Sequence, residues 1–192
     1  KIILKELDMS NRIPSVGTLV EAVAFAADKH RAQRRKDIAA SPYINHPIAL
    51  ANVLANEGGV TNLTALCAAV LHDTVEDTDT TEQELAERFG NDITSVVMEV
   101  TDDKSLDKAR RKELQIEHAP HMSYAARLVK LADKISNLRD ILASPPADWS
   151  TERKQAYFDW AAQVVDGLRG THPTLEGVFK AVYARRVELG CH

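Results

Sequence analysis

Four ionisable residues crowd into six positions at the end of an apolar run: His72, Asp73, Glu76 and Asp77 in AAVLHDTVEDTD. Buried ionisable groups are costly unless they pair or hold a metal. On a helix His72 and Glu76 stand four apart, as do Asp73 and Asp77, so their side chains lie on adjoining faces and can converge. Two more such groups sit in apolar settings. His46 opens a helix in SPYINHPIALANVL, and Asp133 lies in ARLVKLADKISNLRDI. There Leu128, Leu131, Ile135 and Leu138 form a core stripe, and Asn137 follows Asp133 by one turn. Two imidazoles and two carboxylates suit a divalent transition metal that keeps positions open for water and phosphate. Each piece alone has a plainer reading: His46 as a helix cap, Asp133 as a surface ion pair among lysines, the acidic run from Glu76 to Asp79 as a cap. The ordered set is what points to a metal.

The elements that must position these groups read as helices throughout. Val16–Gln33 has apolar residues at helical spacing, namely Leu19, Val20, Val23 and Ala27. Asn45–Asn56 tolerates Pro47 in its first turn and closes on Gly58-Gly59. Leu63–Val75 is apolar on most faces and is expected at the centre. Thr81-Glu82-Gln83-Glu84 has the capping-box pattern, Gly90 ends the helix it opens, and Asn91 can cap the next, which carries Ile93, Val96, Val97 and Val100. A charged helix over 106–118 and an apolar one over 124–142 follow. Ser144-Pro145-Pro146 then breaks the chain before two amphipathic segments at about 150–168 and 174–188. The expectation is an all-α fold, one helical bundle of about eight to ten helices. Residues 16–190 form the domain and 1–15 an N-terminal extension, in which Met9-Ser10 has the form of a native start with 1–8 added ahead of it.

Composition narrows the function classes. The 192 residues are 44% hydrophobic and 27% charged, enough for a core that needs no disulfide or structural metal. Charged residues interrupt every apolar run before the roughly 18 residues of a membrane span. KIILKELDMSNR lacks the apolar core and small-residue cleavage site of a secretory signal. Cys67 and Cys191 are too few and too separated for a disulfide framework or a thiolate zinc site, which fits a reducing, cytoplasmic location. A net charge of −4 argues against a general nucleic-acid binder. The expected partner is a small molecule, with neither nucleic acid nor membrane, and the oligomeric state is open.

The order His46, His72-Asp73, Asp133 resembles the HD phosphohydrolase superfamily. The likeness tightens over RRKD (34–37), PYINHP (42–47), LHDTVEDTDTT (71–81), FG (89–90), EVTDDKSL (99–106), RKELQ (111–115), LVKLADKISNLRD (128–140) and WAAQVVDGLRGT (160–171). These are similar to the metazoan small alarmone hydrolases, homologues of the hydrolase half of the bacterial stringent-response enzymes. The resemblance covers residues 16 to 188. It implies an HD-domain bundle and one divalent metal, usually manganese, on His46, His72, Asp73 and Asp133. It further implies that Glu76 and Asp77 activate and orient a water, and that the 3′-pyrophosphate of ppGpp or pppGpp is hydrolysed to give GDP or GTP. Departures lie in DIAASPYINH (37–46) and SPPADWS (144–150), where substrate fit rather than the metal centre is in question.

A polyphosphate beside an acidic metal site requires cations, and KHRAQRRK supplies them. Lys29 and Arg31 read as a solvated helix end near its favourable C-terminus. Arg35 and Lys36 match family positions near the nucleotide, a guanidinium to stack and a lysine to reach phosphate. Lys108, Asn137 and Tyr157 are carried over more weakly, with Tyr157 equally readable as core. Asp102 or Asp103 in TDDK either orients a ligand or caps the next helix. Spacing does not decide which of Glu76 and Asp77 is the base. Two other functions fit less of the pattern: removal of the 2′-phosphate of NADPH at the same centre, and a non-catalytic nucleotide-sensing module. The second would be marked by eroded motifs, which are intact here. At this length the expectation is hydrolysis without synthesis.

Overall fold

A computed structural model of the chain describes residues 13–190, so Met9-Ser10, residues 1–8 and Cys191 lie outside the described residues. Among these residues there are ten α-helical segments and no strand, with short π and 3-10 turns between them. The helices are α1 (Val16–Lys29), α2 (Asn45–Asn52), α3 (Leu63–Leu71), α4 (Thr74–Asp77), α5 (Glu82–Phe89), α6 (Asn91–Val100), α7 (Lys108–His118), α8 (Tyr124–Ala143), α9 (Thr151–Asp166) and α10 (Pro173–Ala184). The all-α expectation holds, and no helix among the described residues is long and apolar enough to cross a membrane.

The centre is α3, as its composition required. Every residue from Ala65 to Leu71 is buried, and the helix packs against α1, α2, α6 and α8. The 20-residue α8 is the second organising element. Leu128, Leu131, Ile135 and Leu138 are fully buried, and α9 and α10 pack on its outer side. On α1 the core face differs from the expected stripe. Ala22, Phe25 and Ala26 are buried, Leu19 and Val23 flank them, and Val20 points outward. Alanines let α1 approach α3 closely, a use of small residues that a search for bulky apolar spacing overlooks.

Three helix ends are shifted by local chemistry. α1 stops at Lys29, where the backbone N–H groups of His30 and Arg31 bond the last turn, and residues 30–44 fold into a loop rather than helix. Arg35 N–H donates to Ser41 O at 2.8 Å and Tyr43 N–H to Gln33 O at 3.2 Å, while Asp37 accepts from the Ser41 backbone and hydroxyl. α2 runs into a π-helical turn, Val53–Glu57, before Gly59 takes φ +66°, a conformation that favours glycine. Gly90, with φ 83°, both ends α5 and begins α6, so Asn91 is the first residue of α6 and not its cap. Thr81 caps α5 through Glu84 N–H, whereas the Glu84 side chain binds Lys29 instead of completing the expected box.

The break of greatest consequence falls inside the expected helix 63–75. α3 ends at Leu71, His72 and Asp73 form the corner, and α4 restarts at Thr74. The Thr74 hydroxyl donates to Leu71 O at 2.7 Å and Asp77 N–H to Asp73 O at 2.8 Å, which satisfies the backbone on both sides of the corner.

Candidate metal centre and adjoining cavity

Three helices deliver the donors. His46 comes from the first turn of α2, His72 and Asp73 from the corner after α3, and Asp133 from the middle of α8. One ligand atom each from His46, His72 and Asp133 lies within 4.8 Å of the others. His46 Nε2 is 3.4 Å and His72 Nε2 4.0 Å from Asp133 Oδ1, and His72 Nε2 is 3.0 Å from Asp73 Oδ2. Donors about 2.0–2.2 Å from one divalent ion stand at separations of this order. His72 Nδ1 faces Ala69 O at 2.9 Å, and donating its proton there leaves Nε2 as the free donor. His46 Nδ1 is buried without a hydrogen-bond partner, 3.7 Å from Asp140. Imidazole nitrogens beside ionised carboxylates are the donor types a borderline divalent cation takes, so the residues fit such an ion, which would bind in place of a histidine proton.

The cluster's charge state follows from its isolation. Burial alone would lower the His46 pKa, but the Asp133 and Asp140 carboxylates outweigh it and raise it to about 9. Burial opposes ionisation of Asp133, yet Lys134 and the two histidines hold it well below the usual carboxylate range. The same opposition at Asp73 is overcome by His72 and His46, with the Tyr43 hydroxyl donating to the carboxylate. Tyr43 was not singled out from the sequence, although it stands in PYINHP three residues before His46.

Glu76 and Asp77 sit on α4 at the edge of this cluster. The expected convergence is present, but the bend at His72-Asp73 produces it rather than spacing along a continuous helix. Glu76 Oε2 accepts from Asp102 N–H at 3.2 Å, and Arg111 lies 3.6 Å from Oε1. Burial, with the charges of Asp102 and Asp73, pushes the Glu76 pKa up to about 7. Asp77 accepts from Gln33 at 3.0 Å and from Lys104.

A cavity of about 200 Å³ holds the donors together with Glu76 and Asp77. A larger one, about 720 Å³, adjoins it, and Arg35, Tyr43, His46, Asp77, Asn137 and Tyr157 line both. Arg35 pairs with Asp140 and stacks over Tyr43, with Cζ 5.8 Å from the ring centroid. Lys36 lines the larger cavity, and Asn137 Nδ2 donates to Asp133 Oδ1 at 2.6 Å. Tyr157 lies between Trp149 and Trp160, so it both packs and lines. Lys108 differs: it lines neither cavity and stands exposed near Lys36, Arg111 and Arg153. Lys29 is also not solvated, being pinned to Asp79 and Glu84 at 3.0 Å each.

The lysines around Asp133 are interior. The Lys134 side chain is 2% exposed, 3.1 Å from Asp133 Oδ2, and Lys130 is buried with Nζ donating to Val100 O at 3.1 Å. Their spacing on the buried face of an apolar helix was the available signal, and their burial removes the alternative of a surface ion pair at Asp133.

Comparison with known proteins agrees with this arrangement. A family model described as HD domain matches residues 22–163. A Xenopus tropicalis protein named guanosine-3′,5′-bis(diphosphate) 3′-pyrophosphohydrolase MESH1 is 57% identical over 83% of this chain and 89% of its own length. The human protein of that name is 56% identical over 88% of this chain and 94% of its own. A solved structure, described as a metazoan ortholog of SpoT that hydrolyzes ppGpp and plays a role in starvation responses, superimposes with a TM-score of 0.87. It is 46% identical and the match covers 92% of this chain and 98% of that one. The matched span includes the whole donor set and the wall shared by the two cavities, and the chain belongs to the HD-domain family.

Proposed function

We propose that this protein is a metal-dependent hydrolase that removes the 3′-pyrophosphate of ppGpp and pppGpp. The observation that carries the reading is the shared wall. A donor cluster with two carboxylates opens directly onto a cation-lined cavity whose 720 Å³ falls in the range of about 300–1,000 Å³ usual for small-molecule sites. The names of the relatives support the choice of nucleotide. His46, His72, Asp73 and Asp133 are the proposed ligands, manganese the proposed ion, and residues 16–190 the proposed domain. Cytoplasmic location belongs to the same reading, supported by the free, buried thiol of Cys67.

A divalent ion bound there would lower the pKa of water and polarise a phosphoryl oxygen. The chain's own groups do the rest. Glu76, with a pKa near neutrality, accepts the proton of the attacking water, and Asp77, held between Gln33 and Lys104, orients it. The water oxygen bonds to the phosphorus on the ribose 3′-oxygen, the P–O3′ bond breaks, and the 3′-oxygen takes a proton as pyrophosphate leaves. Arg35 and Lys36 bind the phosphates, and Asn137 and Tyr157 shape the passage between the cavities. Lys108, outside both cavities, acts through the local positive field.

Steady-state pyrophosphate release from ppGpp, with and without manganese, tests the reading, beside phosphate release from NADPH. Manganese-dependent turnover of ppGpp is expected. Turnover of NADPH alone would keep the centre and replace the substrate, and turnover of neither would reject hydrolysis at this site. The NADPH reaction draws no support from the relatives' names.

A further inference from the structure

The helix α7 poses a problem of placement, because none of its residues is buried although it borders the catalytic cavity. It is tied inward by Arg111, 3.6 Å from Glu76 Oε1, by Lys112 O, which accepts from Trp160 Nε1 at 3.1 Å, and by Gln115, whose side chain reaches both sides of the site. The Gln115 carbonyl oxygen accepts from Lys134 Nζ at 2.9 Å, and its amide nitrogen donates to Asp102 Oδ2 at 2.7 Å. Each partner continues toward the centre. Lys134 Nζ donates to Asp133 Oδ2 at 3.1 Å, and Asp102 N–H donates to Glu76 Oε2 at 3.2 Å. An unbroken hydrogen-bonded strap therefore runs from the carboxylate of Asp133 on α8, through α7 and the 101–107 loop, to the carboxylate of Glu76 on α4.

Residue type agrees with this role. One end of Gln115 accepts from an ammonium and the other donates to a carboxylate, which a side-chain amide does at two separate atoms. The Lys134 stem is packed away from water with Nζ 4.1 Å from the Trp160 ring centroid, so the ammonium has little freedom to seek another acceptor. Lys130 anchors the start of the loop by bonding Val100 O at the end of α6.

We propose that Gln115 is a positioning residue that holds the metal-ligand side of the site and the candidate base Glu76 in register, acting through Lys134 on Asp133 and through Asp102 on Glu76. The proposal rests on the reading of the site as a metal-dependent hydrolase. It also gives the TDDK motif a purpose, since Asp102 holds Glu76 while Lys104 holds Asp77.

The test uses the full chain and three variants, Gln115→Glu, Gln115→Met and Lys134→Met. Each is measured for manganese affinity without substrate, for kcat and KM on ppGpp, and for melting temperature. Gln115→Glu keeps an acceptor for Lys134 and sets like charge against Asp102. Its kcat should fall about 10–100-fold while KM and manganese affinity stay within about threefold of native. Lys134→Met should weaken manganese binding about 10–100-fold, and Gln115→Met should weaken it in the same direction. Unchanged kcat in Gln115→Glu, or native manganese affinity in both Gln115→Met and Lys134→Met, would overturn the proposal. So would a parallel loss of affinity, kcat and melting temperature in all three, which is what packing support alone produces. If the native chain leaves ppGpp intact, the substrate reading fails, and the metal titrations still decide whether the strap orients Asp133.

Discussion

The donor cluster and the cation-lined cavity meet along one wall but are built in different ways. His46, His72, Asp73 and Asp133 project from α2, the end of α3 and α8, elements whose opposite faces are the hydrophobic core. Arg34, Arg35 and Lys36 project from the loop between α1 and α2, held by backbone hydrogen bonds that include Arg35 N–H to Ser41 O and Tyr43 N–H to Gln33 O, and by the Asp37–Ser41 contact. On the proposed function the chemistry is thus mounted on packed scaffold and the recognition on an exposed connection, the division expected when precision matters for one and adaptability for the other. Changes on the scaffold side should act on rate and metal, and those on the loop side on substrate affinity.

The largest effect tests the scaffold side. Asp73→Ala should weaken manganese binding and lower ppGpp turnover by about 10³-fold or more, measured by metal titration and pyrophosphate release. Retained turnover would dissolve the distinction between the two regions at its root. Asp77→Asn comes next. Its kcat should fall about 10²–10³-fold while manganese still binds, because Asp77 belongs to the carboxylate pair and not to the donors. Loss of metal in this variant would move Asp77 to the other side of the comparison.

The loop side is sharpened by Lys36→Ala, which should raise KM for ppGpp about tenfold with kcat within about threefold, an effect that shrinks as salt is added. Arg35→Ala should be worse, since its guanidinium also ties Asp140 and Tyr43 and through them borders His46 and Asp73. Equal KM effects would show that the wall does not transmit this coupling.

The smallest effects come from pH. As a base, Glu76 must be ionised, so kcat/KM should rise with pH along a limb that lies below the metal-free value of about 7, because a bound cation favours the carboxylate, and that limb should be absent from the residual activity of Glu76→Gln. Linkage carries the opposite sign for stability. A carboxyl whose folded pKa is raised binds more protons folded than unfolded, so its contribution is present below the usual carboxylate value of 4.5 and is lost as pH rises through about 7. Metal-free Glu76→Gln should therefore gain about 2–4 °C in melting temperature over native at pH 8, with the gain fading toward pH 4.5. A gain independent of pH would assign the change to packing.

Much of this was readable beforehand because it depends on composition along single helices. An apolar run as dense as 63–71 has nowhere to go but the centre, and an apolar helix that carries Asp133 must supply it with a partner. What was misread or left open depended on neighbours. Val20 has the right spacing for the core of α1, yet Ala22 and Ala26 won because α3 lies close. Lys108 sits among the right charges, near Lys36 and Arg153, yet it lines neither cavity. A surface pair among lysines stayed open for Asp133 because lysine is so rarely buried, and Lys130 and Lys134 close it by lying inside.

By itself the sequence determined the all-α class, the central helix and the ordered set of histidines and carboxylates, since periodicity and residue type are local properties. Only the tertiary structure decided that the chain bends at His72-Asp73, that two lysines lie inside, and that Gln115 bridges Asp133 to Glu76. Those features come from side chains meeting across distant segments, where a hydrogen bond of 2.7 or 2.9 Å leaves no periodic trace in the chain.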